Sequence, residues 1–346
     1  TQVKLSIMSK TTRVVLLTDL HLRSDYVPGY LECQLTTLTR LVNQKPTDVV
    51  VINGDIFHKR NPRGAELLAF RRLLESFKCS KIYINRGNHD TVAKDGSTDT
   101  TLSLYGDIAT VFAEVGTAHI GSVDFDFIPH FEDEREIVRA VKSSKNHFFG
   151  HFGYDGCVAN GNYKYDSYLK AHHFNKDTLH FLGHIHKPQQ HKSTYILGTQ
   201  YSTSFGEANA QKYLHELIIR DGTVEVVKKP IDFGIRHVVS RIDELPLLSS
   251  RLRFDSFFTI LRLKLDYLDS STEQALRDDV LAKYSINHLE FAFDDILPKF
   301  DSSYNPKSDV FSIDDDVITK YLNEADTVFT TKELLGALSE IQNNED

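Results

Sequence analysis

Asp48-Val49-Val50-Val51-Ile52-Asn53-Gly54-Asp55 is the stretch on which the fold turns. Its apolar centre is β-branched, too short for a helix and free of polar alternation, the pattern of a strand buried on both faces. It ends at Gly54-Asp55, where a turn residue hands over to a carboxylate. The same arrangement recurs along the chain. Arg13 to Thr18 runs into Asp19-Leu20-His21, Lys81 to Asn85 into Gly87-Asn88-His89-Asp90, Asn146 to Gly150 into His151, and Thr178 to Gly183 into His184-Ile185-His186. Phe125 to Ile128 is a further strand-like run. Between the first strands, Leu31 to Asn43 and Ala65 to Phe77 carry helical spacing, so β and α alternate as in a layered α/β domain whose sheet is covered on both faces.

Position gives the five polar clusters their meaning. In an open α/β sheet, ligands bind beyond the carboxyl ends of the strands, so clusters far apart in sequence converge on one crevice. A lone Gly-Asp is usually a turn, and a lone histidine near a strand end is more often a hydrogen-bonded core residue than a ligand. Five clusters, each placed just past a predicted strand, are not explained that way. Together they offer carboxylates, imidazoles and one amide oxygen, a mixed set that suits Mn²⁺, Fe or Zn and lacks the thiolates of a structural zinc site. The set is large enough for two ions, with an aspartate bridging metals about 3.5 to 4 Å apart, an arrangement that serves phosphate-ester hydrolysis.

The order Asp-x-His, Gly-Asp, Gly-Asn-His-Asp, His, Gly-His-x-His, from Asp19 to His186, resembles the calcineurin-like metallophosphoesterases. Within them the chain is most similar to SbcD-type recombination and repair nucleases, including phage versions. The finer likeness lies in Gly54-Asp55-Ile56-Phe57-His58, in Gly198-Thr199-Gln200-Tyr201-Ser202, and in Phe205-Gly206-Glu207. The resemblance implies an αββα sandwich with a small α+β cap. It implies one ion held by Asp19, His21, Asp55 and His186 and another by Asp55, Asn88, His151 and His184, with Mn²⁺ foremost and Mg²⁺, Fe or Zn as alternatives. It casts His89 as general acid, Asp90 as the group that holds its ring, and His58 as an aid in placing the scissile phosphate. It also implies a coiled-coil SbcC-type ATPase as partner, and it allows a homodimer through the catalytic domain, as the family often forms. His130, after Pro129, stands where many relatives carry an aromatic residue.

Further along, Tyr213 to Ile231 has the pattern of a hairpin about Asp221-Gly222, which would close a catalytic unit over 1–232. Residues 233–295 follow as a small α+β domain, with strand-like runs at Phe257 to Leu265 and Asn287 to Phe293 around a helical run at Thr272 to Ala282. Residues 296–311 read as a linker, and 312–346 as a helical tail whose apolar stripes, Val317 to Leu322 and Leu334 to Ile341, suit docking on a partner.

A formal charge of −8 excludes a protein coated in positive potential, so contact with nucleic acid must rest on local cations. Arg23, Lys59, Arg60, Arg63, Arg86, Lys164 and Lys187 flank the motifs, with His191 and Lys192 beyond, in loops expected to ring the crevice. No module for reading base sequence is present, so DNA ends, breaks or shapes are the expected substrate. Cys33, Cys79 and Cys157 form neither a disulfide framework nor a metal motif, which with the lack of a signal segment or an apolar span points to the cytoplasm. Two rivals stay open: a phosphatase or small-molecule phosphodiesterase on the same metal core, against which Ile56-Phe57-His58 argues because the phosphatase branch places an arginine there, and a non-catalytic DNA-tethering scaffold.

Overall fold

A computed structural model of the chain describes residues 11–93, 97–159, 163–265 and 270–293. The linker and tail, and with them the apolar stripes proposed for docking, lie outside the described residues.

The first sheet has six strands. At its centre are β1 (Thr12–Leu17), β2 (Val49–Asn53) and β3 (Lys81–Asn85), which pair in parallel and continue into β4 (Thr110–Phe112). The second sheet, also six-stranded, is built around β6 (Val123–Ile128), β7 (His147–Gly150), β8 (His180–Leu182) and β10 (Thr194–Ile196), all parallel. It is edged by β5 (Gly116–Ile120) and β9 (Gln189–His191). The hairpin β11 (Tyr213–Arg220) and β12 (Thr223–Pro230) returns to the first sheet and pairs antiparallel with β1.

Alternation along the strands builds the layers. Val15, Leu17, Val50, Ile52, Ile82 and Ile84 face α1 (Tyr30–Asn43) and α2 (Gly64–Ser76) through Leu38, Leu41, Phe70 and Leu73. Val14, Leu16, Val49 and Val51 point the other way, onto Phe125, Phe127, Phe149 and Phe181 of the second sheet. Phe148, Leu182 and Ile196 then meet Ile137 and Val141 of α3 (Glu134–Ser143) on the outer side. The result is an αββα sandwich. Reading the residues alone suggested one sheet with helices on both faces; instead each sheet has helices on one face and the other sheet on its second face.

A third sheet follows, in which β13 (Gly234–Arg241), β14 (Phe257–Leu265) and β15 (His288–Phe293) are parallel. With α4 (Leu245–Leu252) and α5 (Ser270–Lys283) it encloses a core of its own around Val238, Leu245, Leu261, Leu263 and Leu289. Ile235 and Ile260 reach into the core beneath α1. No helix among the described residues is long and apolar enough to cross a membrane.

Candidate metal centre

Register brings the site together. Asn53 pairs opposite Asn85 in the first sheet, and Ile128, Gly150 and Leu182 stand side by side in the second, so the loops that follow leave at one level. Two fully buried amides tie those ends across the sandwich. Asn85 Nδ2 donates to Asn53 Oδ1 (2.9 Å) and to the Ile128 carbonyl (3.0 Å), while Asn53 Nδ2 donates to the carbonyls of Gly150 (2.8 Å) and Phe181 (3.1 Å). Beyond them the chain is forced into the left-handed region at Asp19 (φ 51°), His21 (φ 44°), Asp55 (φ 52°) and His184 (φ 76°). Each such residue costs on the order of 1–2 kcal/mol, and strain of this kind is kept where function needs a side chain aimed. Gly87 is required for a different reason: a Cβ there would collide with the backbone nitrogen and carboxylate of Asp55.

The ligand atoms of Asp19, His21 and His186 lie within 4.8 Å of one another, as do those of Asp55, His151 and His184. Asp55 faces both groups, with Oδ2 3.8 Å from His21 Nε2 and Oδ1 3.2 Å from His151 Nε2. Asp19 Oδ1 is 3.7 Å from His186 Nε2 and 3.9 Å from His151 Nε2. Asn88 Oδ1 is 2.9 Å from His184 Nδ1, and His21 Nε2 is 3.0 Å from His186 Nε2. Atoms bound at right angles to one ion at about 2.1 Å lie about 3 Å apart, so these separations match neighbouring positions in a coordination shell.

The remaining ring nitrogens decide which atom each histidine presents. His151 Nδ1 donates to the Asn53 carbonyl (2.6 Å), His186 Nδ1 to Glu207 Oε1 (2.8 Å), and His184 Nε2 stands 3.3 Å from the Tyr165 hydroxyl. Lone pairs are thereby aimed inward from His151 Nε2, His186 Nε2 and His184 Nδ1. Burial holds the pKa of His21 down to about 3, though Asp55 opposes it, and burial with the His151 charge holds His184 near about 4, so both rings are neutral and able to bind a cation. Burial also opposes charge on His151, yet Asp55 and Asp19 raise its pKa to about 10. The buried carboxylates thus draw positive charge into the pocket, and His151 Nε2 has no hydrogen-bond partner of its own. This donor set fits two divalent ions.

The sequence pattern of calcineurin-like phosphoesterases matches residues 12–188, just over half of the chain. The chain belongs to the calcineurin-like phosphoesterase family. It is accordingly a metal-dependent phosphoester hydrolase. No curated protein matches it. Among solved structures, the phosphoesterase is similar to a conserved uncharacterized protein, described as a predicted phosphoesterase, from Streptococcus pneumoniae TIGR4, at 11% identity and a TM-score of 0.32 over 64% of this chain and 90% of that one. It is also similar to purple acid phosphatase PPD1 from yellow lupin (Lupinus luteus) seeds, at 12% identity and a TM-score of 0.40 over 64% of this chain and 52% of that one. The family assignment rests on the matched pattern, not on these distant likenesses.

His89 borders the candidate metal ligands of the phosphoesterase. Its ring centroid is 5.0 Å from that of His21, and its backbone N–H donates to Asp55 Oδ1 (2.9 Å). Its Nδ1 is 2.7 Å from the His58 carbonyl. A carbonyl only accepts, so Nδ1 carries the hydrogen and Nε2 is the position left for exchange. This corrects the role expected of Asp90. Its carboxylate accepts from the backbone N–H groups of Asp55 (2.9 Å), Ile56 (2.9 Å) and Gly87 (2.8 Å), so it fixes the two ligand loops against each other and does not hold the His89 ring. Burial and the neighbouring Asp55 raise its pKa to about 6.

The flanking cations divide into three groups. Arg23 lies beside the site, 3.4 Å from His58 Nε2 and 3.6 Å over the Tyr26 ring. Lys59 and Arg63 are exposed and share one carboxylate, Asp25, at 2.6 and 3.2 Å; Arg60 reaches Thr91 and Glu132. Lys164 and Lys187 are exposed next to Tyr165 and His186. Arg86, by contrast, is 2% exposed, and its guanidinium donates to the carbonyls of Ser97 (3.0 Å) and His130 (2.6 Å). It braces loops from inside and is not a surface contact for DNA. His191 and Lys192 are also displaced from the expected ring: they precede β10, at the end of the sheet remote from His184.

Glu207 escaped the reading of the residues. One oxygen meets His186; the other accepts from Thr199 (2.7 Å) and pairs with buried Lys212. The stretch Phe205-Gly206-Glu207 pointed to family likeness only, and nothing in a lone acid beyond the last motif assigns it to a histidine. His130 lies over His184, ring centroids 6.2 Å apart, with its Nδ1 unpartnered and its pKa held down to about 3 by burial.

Proposed function

We propose that this phosphoesterase is a two-metal nuclease that hydrolyses phosphodiester bonds in DNA, with Mn²⁺ as its working ion and a coiled-coil ATPase as its partner. The observation that carries the reading is the pair of imidazoles at the lip of the metal cluster, His58 and His89, stacked with centroids 6.5 Å apart and joined by the bond from His89 Nδ1 to the His58 carbonyl.

Asp19, His21, Asp55 and His186 would hold one ion, and Asp55, Asn88, His151 and His184 the other. Bound there, two divalent ions supply Lewis acidity toward a phosphoryl oxygen and ease deprotonation of water. Three residues outside the ligand set address what DNA adds to that chemistry. A departing sugar oxygen is a poor leaving group that gains from a proton, and His89 can deliver one from Nε2 while Nδ1 stays anchored. Arg23, held by its stacking on Tyr26, sets positive charge beside His58, where a diester phosphate must be positioned. The Lys59 to Arg63 segment adds two cations on one carboxylate, a surplus of charge that suits a backbone leading into the site.

A phosphomonoesterase can be built on the same metal core, so the substrate decides. The test compares nitrophenyl phosphate, thymidine nitrophenyl phosphodiester and linear DNA in Mn²⁺. Turnover of the diester and degradation of the DNA are expected; rapid turnover of the monoester alone overturns the proposal. Duplex binding without any hydrolysis would indicate a scaffold.

A further inference from the structure

β7, β8 and β10 are parallel, and the ligands His151, His184 and His186 follow the carboxyl ends of β7 and β8. Residues just before these strands therefore lie at the opposite end of the second sheet. Lys145 precedes β7, Lys176 precedes β8, His191 and Lys192 precede Thr194 of β10, and Lys142 sits in the last turn of α3. Two hollows there, of about 680 and 450 Å³, share His172 and Asn175 in their walls, so they adjoin and together make up one groove. Lys142, Lys145, His172, Lys176, His191 and Lys192 line it with exposed side chains, and no carboxylate lines either hollow. Among the described residues none of the four lysines is held in an ion pair. The neighbouring His173 has its pKa lowered by burial first and then by the charges of Lys142, His172 and Lys170. In a chain of net charge −8 this is a concentrated exception.

We propose that this groove is a second, non-catalytic site for the phosphate backbone of duplex DNA, an inference that takes its ligand class from the nuclease reading. The cations are spread over two adjoining hollows, so the surface suits a row of anions rather than one. Lysine ammonium groups, imidazoles and the Asn175 and Ser193 side chains in its wall are donors of the kind that meet phosphate oxygens. Phe174 is the one Phe, Tyr or Trp of the lining and is buried, so the large aromatic platforms on which single-stranded bases stack are missing and backbone contact dominates. A phosphate bound here is not the one being cleaved. The groove would instead grip a remote segment and raise the local concentration of the same molecule at the metal centre, an advantage open to long duplexes and denied to short ones.

The experiment measures binding of a long, random-sequence fluorescent duplex in EDTA across a salt series, for the wild type, Lys145→Glu/Lys192→Glu and Lys145→Gln/Lys192→Gln. Charge reversal is expected to weaken binding at least about tenfold and to reduce the salt slope by about 2, the value for two lost phosphate contacts. The neutral variant should fall between. Thermal midpoint and hydrolysis of the thymidine nitrophenyl diester should not change. Unaltered affinity and slope in both variants overturn the proposal, as does loss of poly-glutamate binding with DNA binding intact, which would mark an acidic polypeptide site. A wild type that binds duplex through these lysines yet cuts no DNA supports the groove while sinking the nuclease reading; normal cutting with an unchanged salt slope does the reverse.

Discussion

At the carboxyl ends of β7 and β8, His151, His184 and His186 each have one ring nitrogen occupied by a protein group and the other turned toward the oxygens of Asp55, Asn88 and Asp19 respectively. Near the amino ends of β8 and β10, His172 and His191 stand exposed among lysines in a groove without a lining acid. One residue type serves opposite charges, and its neighbours decide which. Where the fold supplies an acceptor for one nitrogen and a carboxylate near the other, the imidazole faces a place that favours positive charge. Where it supplies only further cations, the same ring becomes part of an anion site.

The contrast can be tested from its strongest element downward. His89→Ala removes a ring at the ligand end that is assigned to proton delivery, not metal binding. It should lower kcat on DNA by about 10²- to 10⁴-fold while Mn²⁺ content stays at the wild-type level. Unchanged cleavage would remove His89 from the chemistry, and lost metal would make it a ligand, a role its closeness to His21 and Asp55 also allows.

A smaller effect is expected one layer out. Glu207→Gln keeps an acceptor for His186 but removes the charge, so Mn²⁺ affinity should fall about 10- to 100-fold in a calorimetric titration. It also strands Lys212, which is buried, and should lower the thermal midpoint. Adding Lys212→Met should restore the midpoint without restoring affinity. Recovery of both would mean that Glu207 serves packing alone.

The smallest effect lies far from either set of histidines. Glu216 binds Arg13 (2.7 Å) and Lys229 (2.7 Å), where β1, β11 and β12 meet. Burial would raise its pKa, but the bonds from Arg13 and Lys229 outweigh this and hold it below the ordinary glutamate value. Its contribution is therefore complete above about pH 4.3 and is lost as pH falls through the depressed folded value. The wild type should lose on the order of 1 kcal/mol more than Glu216→Gln between about pH 5 and pH 3. Equal losses would mean that the pair adds nothing.

Much of the ligand end was legible because strand propensity and ligand chemistry coincide there. Val49 to Ile52 can hardly be anything but a buried strand, and Asp55 follows it directly. The runs before His151 and His184 are as plain. The second sheet was less legible as a separate layer, because β9 and β10 are short and a buried parallel strand looks the same whether a helix or another sheet covers it. β13 and α4 went unread for a related reason: Ile235-Arg236-His237-Val238 and Leu245 to Leu252 lack a clean period of either kind. The role of Asp90 could not be read because a carboxylate beside a histidine in sequence need not face it in space. Arg86 misled in the same way, since sequence proximity to a motif does not distinguish a guanidinium on the surface from one bonded inside.

The central claim is that Asp55 stands between two cation sites assembled from both sheets. It is tested most directly by Mn²⁺ titration of the metal-stripped protein, wild type and Asp55→Asn, with bound metal counted by elemental analysis. The account predicts two ions per chain for the wild type and loss of tight binding at both positions in the variant. Fewer than two ions in the wild type, or two retained in the variant, would contradict it.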